Sequence, residues 1–403
     1  MYFKQKTEKI ILIVFLFEHF LGINIFIINY IERIPSEYIC LTSKIKTFKC
    51  LNDEMIDIQN YIDLVFNGTL IDKNKKYSLK ENPKISIIIS VYNGEAYLKT
   101  SLLSIQNQDM KDIEIVIVDD GSKDNSVNLI KELMLSEERI VLYKNNENKG
   151  ALYTKSKGVI SAKGKYVLLM DEDDIYIQRD AFSILYEEAE KYNLDILKFN
   201  TFSSKPKIKR IKHKRLNIDT PIIFQPNLSE LMFSHNSKGE IEFKEGLLTN
   251  CLMRKDILIK AIREIDDKFM NQKINFHDDY FIYFLLTRFS NKYKFIDRFF
   301  YLVIKRWDKI NKKAKFRSKE KKKYKGLLRC KNLLNFIEFI LYKTENTFFD
   351  KRIAFFSFDR WYINNVCRKS DKTIIQAKKI SKLYIENEYI RDADKKKLIN
   401  FFK

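Results

Sequence analysis

Cysteine and histidine are too few and too scattered here to build a metal cage. The five cysteines, Cys40, Cys50, Cys251, Cys330 and Cys367, form no C-x-x-C pair, and only four histidines accompany them. That argues against a structural zinc site. Cys40 and Cys50 could pair in an oxidising compartment, although ordinary free thiols are the simpler reading. Glycine, at 10 residues, is equally scarce, and no G-x-G-x-x-G follows the first apolar run, so a dinucleotide-binding fold lacks its fingerprint. The stretch 158–166 (GVISAKGKY) resembles a phosphate loop at first sight. It is one residue too long, and Tyr166 stands where Ser or Thr must hold magnesium. No helix-turn-helix, zinc-finger or RNA-binding signature is present, so nucleic acid is not the expected partner despite an excess of positive charge.

The chain does have apolar residues in quantity, 45% of the total, which excludes a disordered chain. Its 403 residues leave room for two or three domains. The net charge of +21 is uneven, because residues 301–403 alone hold 29 basic and 11 acidic side chains. The charge belongs to a tail.

Residues 10–31 (IILIVFLFEHFLGINIFIINYI) are long enough to span a bilayer as a helix. Lys4, Lys6 and Lys9 precede them and would keep the N-terminus cytoplasmic. Glu18 opposes insertion at about 2.5–3.5 kcal/mol near a helix centre. On a helix it would share a face with Gly22 and Asn29, where a partner could pack. No small-residue cleavage site follows the run. A single-pass membrane anchor is expected, with a cleaved signal segment or a soluble or interfacial helix as alternatives. Residues 32–82 read as a connecting region in which Met55, Ile58, Ile62 and Val65 recur at helical spacing between Asp53 and Gly68. Two glycosylation sequons, at Asn67 and Asn227, matter only if this part of the chain is lumenal.

From Pro83 the pattern becomes regular. Residues 85–91 (ISIIISV) form a β-branched run ending in Tyr92-Asn93-Gly94. Asn93 there can cap a helix whose face carries Leu98, Leu102 and Ile105. Residues 113–118 (IEIVIV) end in Asp119-Asp120-Gly121-Ser122 and lead to a helix carrying Val127, Ile130 and Leu133. A third strand is expected at 139–143, followed by a polar loop to Gly150 and another helix. The run 165–176 then places apolar residues before four acids, Asp171, Glu172, Asp173 and Asp174. Strand alternating with helix predicts a mostly parallel α/β sheet. All three polar clusters follow strand carboxyl ends, which share one edge of such a sheet, where ligands bind. Carboxylates this close repel unless something positive sits among them, most simply a divalent metal with oxygen ligands. The bland alternative is a solvated acidic turn or a helix N-terminus.

The stretches PKISIIISVYNGEAYL, DIEIVIVDDGSKDNS, NENKGALYTKSKGVISAKGKYVLLMDEDD and NFHDDYFIYFLLTRFSNKYKFID resemble, in order and spacing, family 2 glycosyltransferases of GT-A fold. The resemblance covers roughly residues 83–305, and 306–403 remain as a basic helical extension. It implies a GT-A domain that moves a sugar from a nucleotide-diphosphate sugar, first of all a UDP-sugar, to a glycan, lipid or protein acceptor. Transfer would be of hexosyl or N-acetylhexosaminyl type, metal-dependent (Mn2+ or Mg2+), and inverting. Ser90, Tyr92 and Glu95 fall where the family contacts the nucleoside, and Asp120 where a residue reaches base or ribose. Asp171 and Asp173 match the ends of the D-x-D element, the first towards ribose and the second on the metal. Asp279 stands at the catalytic base, with Asp278 in place of the usual Glu.

Besides Asp278, one further departure matters. Many members carry Ala-Arg-Asn where this chain has Thr154-Lys155-Ser156. Lys155 keeps the positive charge towards the donor but loses the planar fork that grips phosphate. The bland reading of Asp278-Asp279 is an N-cap before the apolar face 280–286. Residues 205–215 (KPKIKRIKHKR) read as a basic loop, solvated or facing an anionic acceptor, and 247–262 as a helix beneath the acceptor pocket. Basic helices in the tail could meet anionic lipid head groups, so membrane association is expected. Rival readings are a catalytically inactive sugar-nucleotide or carbohydrate-binding protein, and a sugar-phosphate nucleotidyltransferase, which would want a glycine-rich loop after the first strand.

Overall fold

The structure is a computed structural model, and it describes residues 60–71, 76–203 and 247–304 as continuous stretches. Shorter pieces are described at 58, 222–224, 228, 233–235, 241–243, 331–332, 334–340, 379 and 382. The apolar segment 10–31, the basic stretch 205–215, the sequon at Asn227 and the basic run 305–325 lie outside these residues. Among the described residues no helix is long and apolar enough to cross a membrane.

Four strands open the sheet: β1 (Ile85–Val91), β2 (Ile113–Asp119), β3 (Ile140–Lys144) and β4 (Tyr166–Asp171). They pair in parallel in the order β3-β2-β1-β4. Helices α1 (Leu98–Gln106), α2 (Ser126–Met134) and α3 (Ala151–Ser161) connect them. The strands read as continuous apolar runs because both faces are buried. In β1, Ile85, Ile87, Ile89 and Val91 enter one core with Leu98, Leu102 and Ile105 of α1. Ile88 enters the other, beside Leu152 and Val159 of α3. A period of two thus sorts side chains that polarity alone does not distinguish.

After a two-residue β5 (Ile175–Tyr176) and α4 (Ala181–Tyr192), the sheet continues through β6 (Ile196–Ser203). The short strands β7 (Ile223–Phe224), β8 (Phe233–His235) and β9 (Ile241–Phe243) follow, the last two as a separate pair. β10 (Cys251–Arg254) then inserts antiparallel between β4 and β6. It leads into α5 (Lys255–Arg263), α6 (Asp267–Met270), α7 (Asp278–Phe289) and β11 (Lys292–Val303), which runs parallel to β6. The architecture is α/β with a mostly parallel sheet.

Three local expectations are corrected. The stretch 247–262 is not one helix, because Cys251–Arg254 is a strand. Cys251 and Met253 point into one core and Leu252 into the other, filling the space between β4 and β6. Asn93 does not cap α1, whose N-cap is Tyr97. Instead Asn93 adopts φ 54 and accepts the Lys123 N–H on its side-chain oxygen at 2.8 Å. Asp278 and Asp279 are not N-caps either. They form the first turn of α7 after His277, which holds the left-handed conformation at φ 60.

Two flanking pieces join the same body. A helix over 60–66 places Tyr61 and Val65 against Ile175, Ile177 and Leu302. At the other end, Leu334, Phe336, Ile337, Phe339 and Ile340 of a helix over 334–340 are buried with α6 and α7. The first lies within the expected connecting region and the second within the basic extension.

Candidate active site

Parallel pairing brings the carboxyl ends of β1 to β4 to one edge, and with them Tyr92, Asp120, Asn145 and Asp171–Asp174. Because β10 runs the opposite way, its leading residues 248–250 arrive at that same edge.

The loops after β1 and β2 are laced together. The N–H groups of Asn93, Gly94 and Glu95 donate to Ser122 Oγ, Ser126 Oγ and Asp124 Oδ2. In return Glu95 Oε2 accepts the Asn125 N–H at 3.1 Å. Glu95, expected at the nucleoside, is therefore engaged with the start of α2. Tyr92 stands above this lattice, 41% exposed, as a ring available to a planar base. Ser90 pairs in register with both Val118 and Asp171.

Asp120 is buried and turned inward. Its Oδ1 accepts the Lys149 N–H at 2.7 Å and Asn145 Nδ2 at 3.0 Å, while Oδ2 accepts the Gly150 N–H at 2.9 Å. Gly150 is required there for two reasons. It has φ +95, and a Cβ would lie 2.8 Å from the Ile274 nitrogen. Asn145, which the sequence reading did not single out, also bonds Thr154 Oγ1 at the start of α3.

Lys155 of α3 is the centre of the site. Its ammonium is buried and lies 2.9 Å from Asp278 Oδ2, 2.9 Å from Asp279 Oδ1 and 3.6 Å from Asp171 Oδ1. Burial disfavours its charge, but the three carboxylates outweigh that and hold its pKa well above the ordinary lysine value. Asp279 Oδ2 also receives the Leu248 N–H at 3.4 Å. Burial, with help from Asp278 and Asp171 and against the pull of Lys155, raises the Asp279 carboxyl from 3.8 to about 7. The positive end of the α7 dipole favours acids in its first turn.

The four acids after β4 have separate fates. Asp171 remains partly open to solvent beside Lys155, and its N–H donates to Tyr301 Oη at 3.2 Å. Glu172 packs back towards β1, so close that a Cβ on Gly94 would meet its Cγ at 2.8 Å. Asp173 lies half-buried at the edge. Asp174 caps no following helix; its Oδ1 accepts the Ile304 N–H at 2.8 Å. Burial first, then Asp171 and Asp173, pushes its pKa well above the carboxylate range.

The loop before α7 completes the edge. Ile274 O accepts the Leu152 N–H at 3.1 Å, and Asn275 Oδ1 accepts the Ala151 N–H at 3.1 Å. These bonds satisfy orphan donors at the start of α3, the helix that carries Lys155. The long sequence separation hid Asn275 from any reading of the sequence alone. Of the expected site residues, Lys155, Asp171 and Asp279 thus meet directly. Asp173 lies two residues from Asp171, and Asp120 holds the turn leading into α3.

Among the described residues, no three His, Cys, Asp or Glu side chains converge as a metal cage. Asp171, partly open to solvent, and Asp173, two residues on, are the carboxylates at this edge that could hold a divalent ion.

A family model described as "Glycosyl transferase family 2" matches residues 86–261. That stretch, from β1 into α5, is what the chain shares with family 2 glycosyltransferases. The cholesterol galactosyltransferase of Borreliella burgdorferi is 26% identical over 302 residues, covering 73% of this chain and 80% of that protein. Glycosyltransferase GlyA of Streptococcus pneumoniae is 41% identical over 120 residues, which are 30% of this chain and only 17% of GlyA. A putative glycosyltransferase of Bacillus subtilis, EpsH, is 39% identical over 95 residues, 23% of this chain and 27% of that protein. The chain therefore spans well under half the length of GlyA and EpsH. Crystal structures of S. aureus TarS 1–349 share the fold at 14% identity. The complex with UDP-GlcNAc has a TM-score of 0.51 and that with UDP 0.53, each covering 77% of this chain and 82% of that one. Both α7 and β11 lie beyond the stretch matched to the family, although α7 carries Asp279 and β11 closes the sheet.

Proposed function

We propose that the protein transfers a sugar from a nucleotide-diphosphate sugar to an acceptor hydroxyl, with inversion at the anomeric carbon. The observation that carries this reading is the meeting of Asp171, Lys155 and Asp279 at the carboxyl edge of the sheet. A donor-side carboxylate and a buried acid with a raised pKa face one another there across a single ammonium. The UDP and UDP-GlcNAc complexes of TarS, which shares the fold, make a UDP-sugar the first donor to test.

In the proposed reaction Asp279 acts as general base. The acceptor oxygen attacks the anomeric carbon, its proton passes to the Asp279 carboxylate, and the bond to the diphosphate oxygen breaks with its electron pair. A pKa of about 7 suits the task, since an ionised fraction coexists with useful basicity. Lys155 orients the carboxylate and keeps it charged until the acceptor proton arrives. Asp173 is the residue that would hold a divalent ion, Mn2+ or Mg2+, with Asp171 beside it. Such an ion, when bound, offsets charge on the departing diphosphate. Tyr92 offers a face for the base, and Asp120 fixes the turn beneath it.

A thermal-shift screen of nucleotide sugars with and without Mn2+ tests the donor reading, and nucleoside diphosphate release tests transfer. A metal-dependent shift with one donor, abolished by Asp173→Ala, is expected. No shift with any donor would instead support an inactive carbohydrate-binding protein of the same fold. The galactosyl transfer to cholesterol named for the Borreliella relative makes UDP-galactose and a sterol one sensible donor–acceptor pair to include.

A further inference from the structure

Sequence outside the stretch matched to the family touches the base-bearing helix. Phe336, in the helix over 334–340, packs edge-on against Tyr280 at 5.7 Å between ring centres and against Phe281 at 5.2 Å. Phe339 meets Phe281 and also Phe269 of α6. Tyr280 directly follows Asp279, and its ring also lies 4.7 Å from that of the left-handed His277. The first turn of α7 is thus gripped through Tyr280 and Phe281.

A polar contact reaches the preceding loop. Asn335 Nδ2 donates to Gln272 Oε1 at 2.5 Å, Asn335 being buried and Gln272 half-buried. Glu338 pairs with Lys268 of α6 at 2.5 Å. Gln272 begins the loop whose Ile274 and Asn275 cap α3, so one contact bears on both helices that meet at the Lys155–Asp279 pair. Apolar burial alone would glue a helix to a core without choosing a rotation or register. The directional Asn335–Gln272 bond selects one.

We infer that the helix over 334–340 is a positioning element for Asp279, and that Asn335 sets the loop 271–277 and the first turn of α7 in register with Lys155. This rests on the reading of Asp279 as general base. It makes part of the carboxy-terminal extension a working portion of the transferase domain. Asn335 touches no substrate and acts through Gln272.

The test uses the full-length chain carrying Asn335→Ala, Gln272→Ala or both. Each single variant should lower kcat roughly tenfold, the scale on which a slight misplacement acts. Donor KM should stay within about twofold, since the β1–β4 edge is untouched. The double variant should match the singles, because all three lose the same bond. Amide hydrogen exchange should quicken in 271–281 and remain unchanged in 85–134. An unchanged kcat, or a loss carried by donor KM, would overturn the inference. If the wild type transfers no sugar at all, the glycosyltransferase reading fails and exchange alone decides. Quickening confined to 271–281 then supports the clamp, and its absence refutes it. Should Asn335→Ala not fold, Gln272→Ala decides alone, since it breaks the same bond from its half-buried partner in the loop, with the same expected kcat and exchange signature.

Discussion

Asp120 and Asp279 are both nearly buried, with exposures of 4% and 8%, and both stand at the same edge of the sheet. Their charges are met in different ways. Asp120 takes two main-chain N–H groups and one side-chain amide, fixed dipoles that ask nothing of a neighbour's protonation. Asp279 shares one ammonium with Asp278 and Asp171, so three acids compete for a single cation. The first arrangement fixes a turn. The second holds a carboxyl near its titration range, where gaining and losing a proton is easy. A buried acid in a crevice is thus not by itself a reactive one; the nature of its partners decides.

The contrast can be broken most severely at Asp279 itself. Asp279→Asn keeps the shape and removes the base, so transfer should fall by roughly 10²–10⁴ while donor binding survives. Full transfer in that variant would sink the base assignment.

Lys155→Ala attacks the shared cation. It strands buried carboxylates and should cost about 3–5 kcal/mol at pH 8 in urea unfolding. The cost should shrink at pH 5.5, where the Asp279 carboxyl can protonate. The sign follows from linkage: a carboxyl raised from 3.8 to about 7 favours the fold while protonated. That contribution is complete below about pH 4 and lost as pH rises through 7. A cost independent of pH would mean that Lys155 acts by packing alone.

The dipole-held acid should respond otherwise. Asp120→Asn leaves an amide facing one of the N–H groups now accepted, at a cost of about 1–3 kcal/mol. The pH dependence of turnover should not change. The smallest effect is expected at the amino-terminal flank. Tyr61 Oη donates to the Ser104 carbonyl at 3.0 Å, and Gln108 also serves that carbonyl at 3.2 Å. Tyr61→Phe should therefore cost only about 1 kcal/mol in thermal unfolding.

The same division governs how much could be read from the residues. Strands β1 to β4 were legible because each is an apolar run that ends in polar residues, and parallel order forces those ends together. The position of Asp171 and Asp173 at that edge followed from the same logic. β10 was not legible, since a short strand buried on both faces has the same polarity pattern as a buried helix. Lys155 was visible as a charge, yet its partners Asp278 and Asp279 stand more than 120 residues away. Only the packing of α3 against α7 and its loop joins them. The tail reads as helical, but nothing local marked α7 as the surface that covers Leu334 and Ile337. What escapes the sequence is the set of long-range pairings between elements whose own patterns are clear.

The pH dependence of kcat/KM, taken with the donor found by the screen, bears most directly on the shared-cation arrangement. Wild type is expected to lose activity below an apparent pKa of about 7, as Asp279 takes up a proton. Asp278→Asn removes one of the negative charges that raise that value, so its acid limb should move to lower pH. A wild-type profile flat to pH 5, or an acid limb that Asp278→Asn leaves in place, would contradict it.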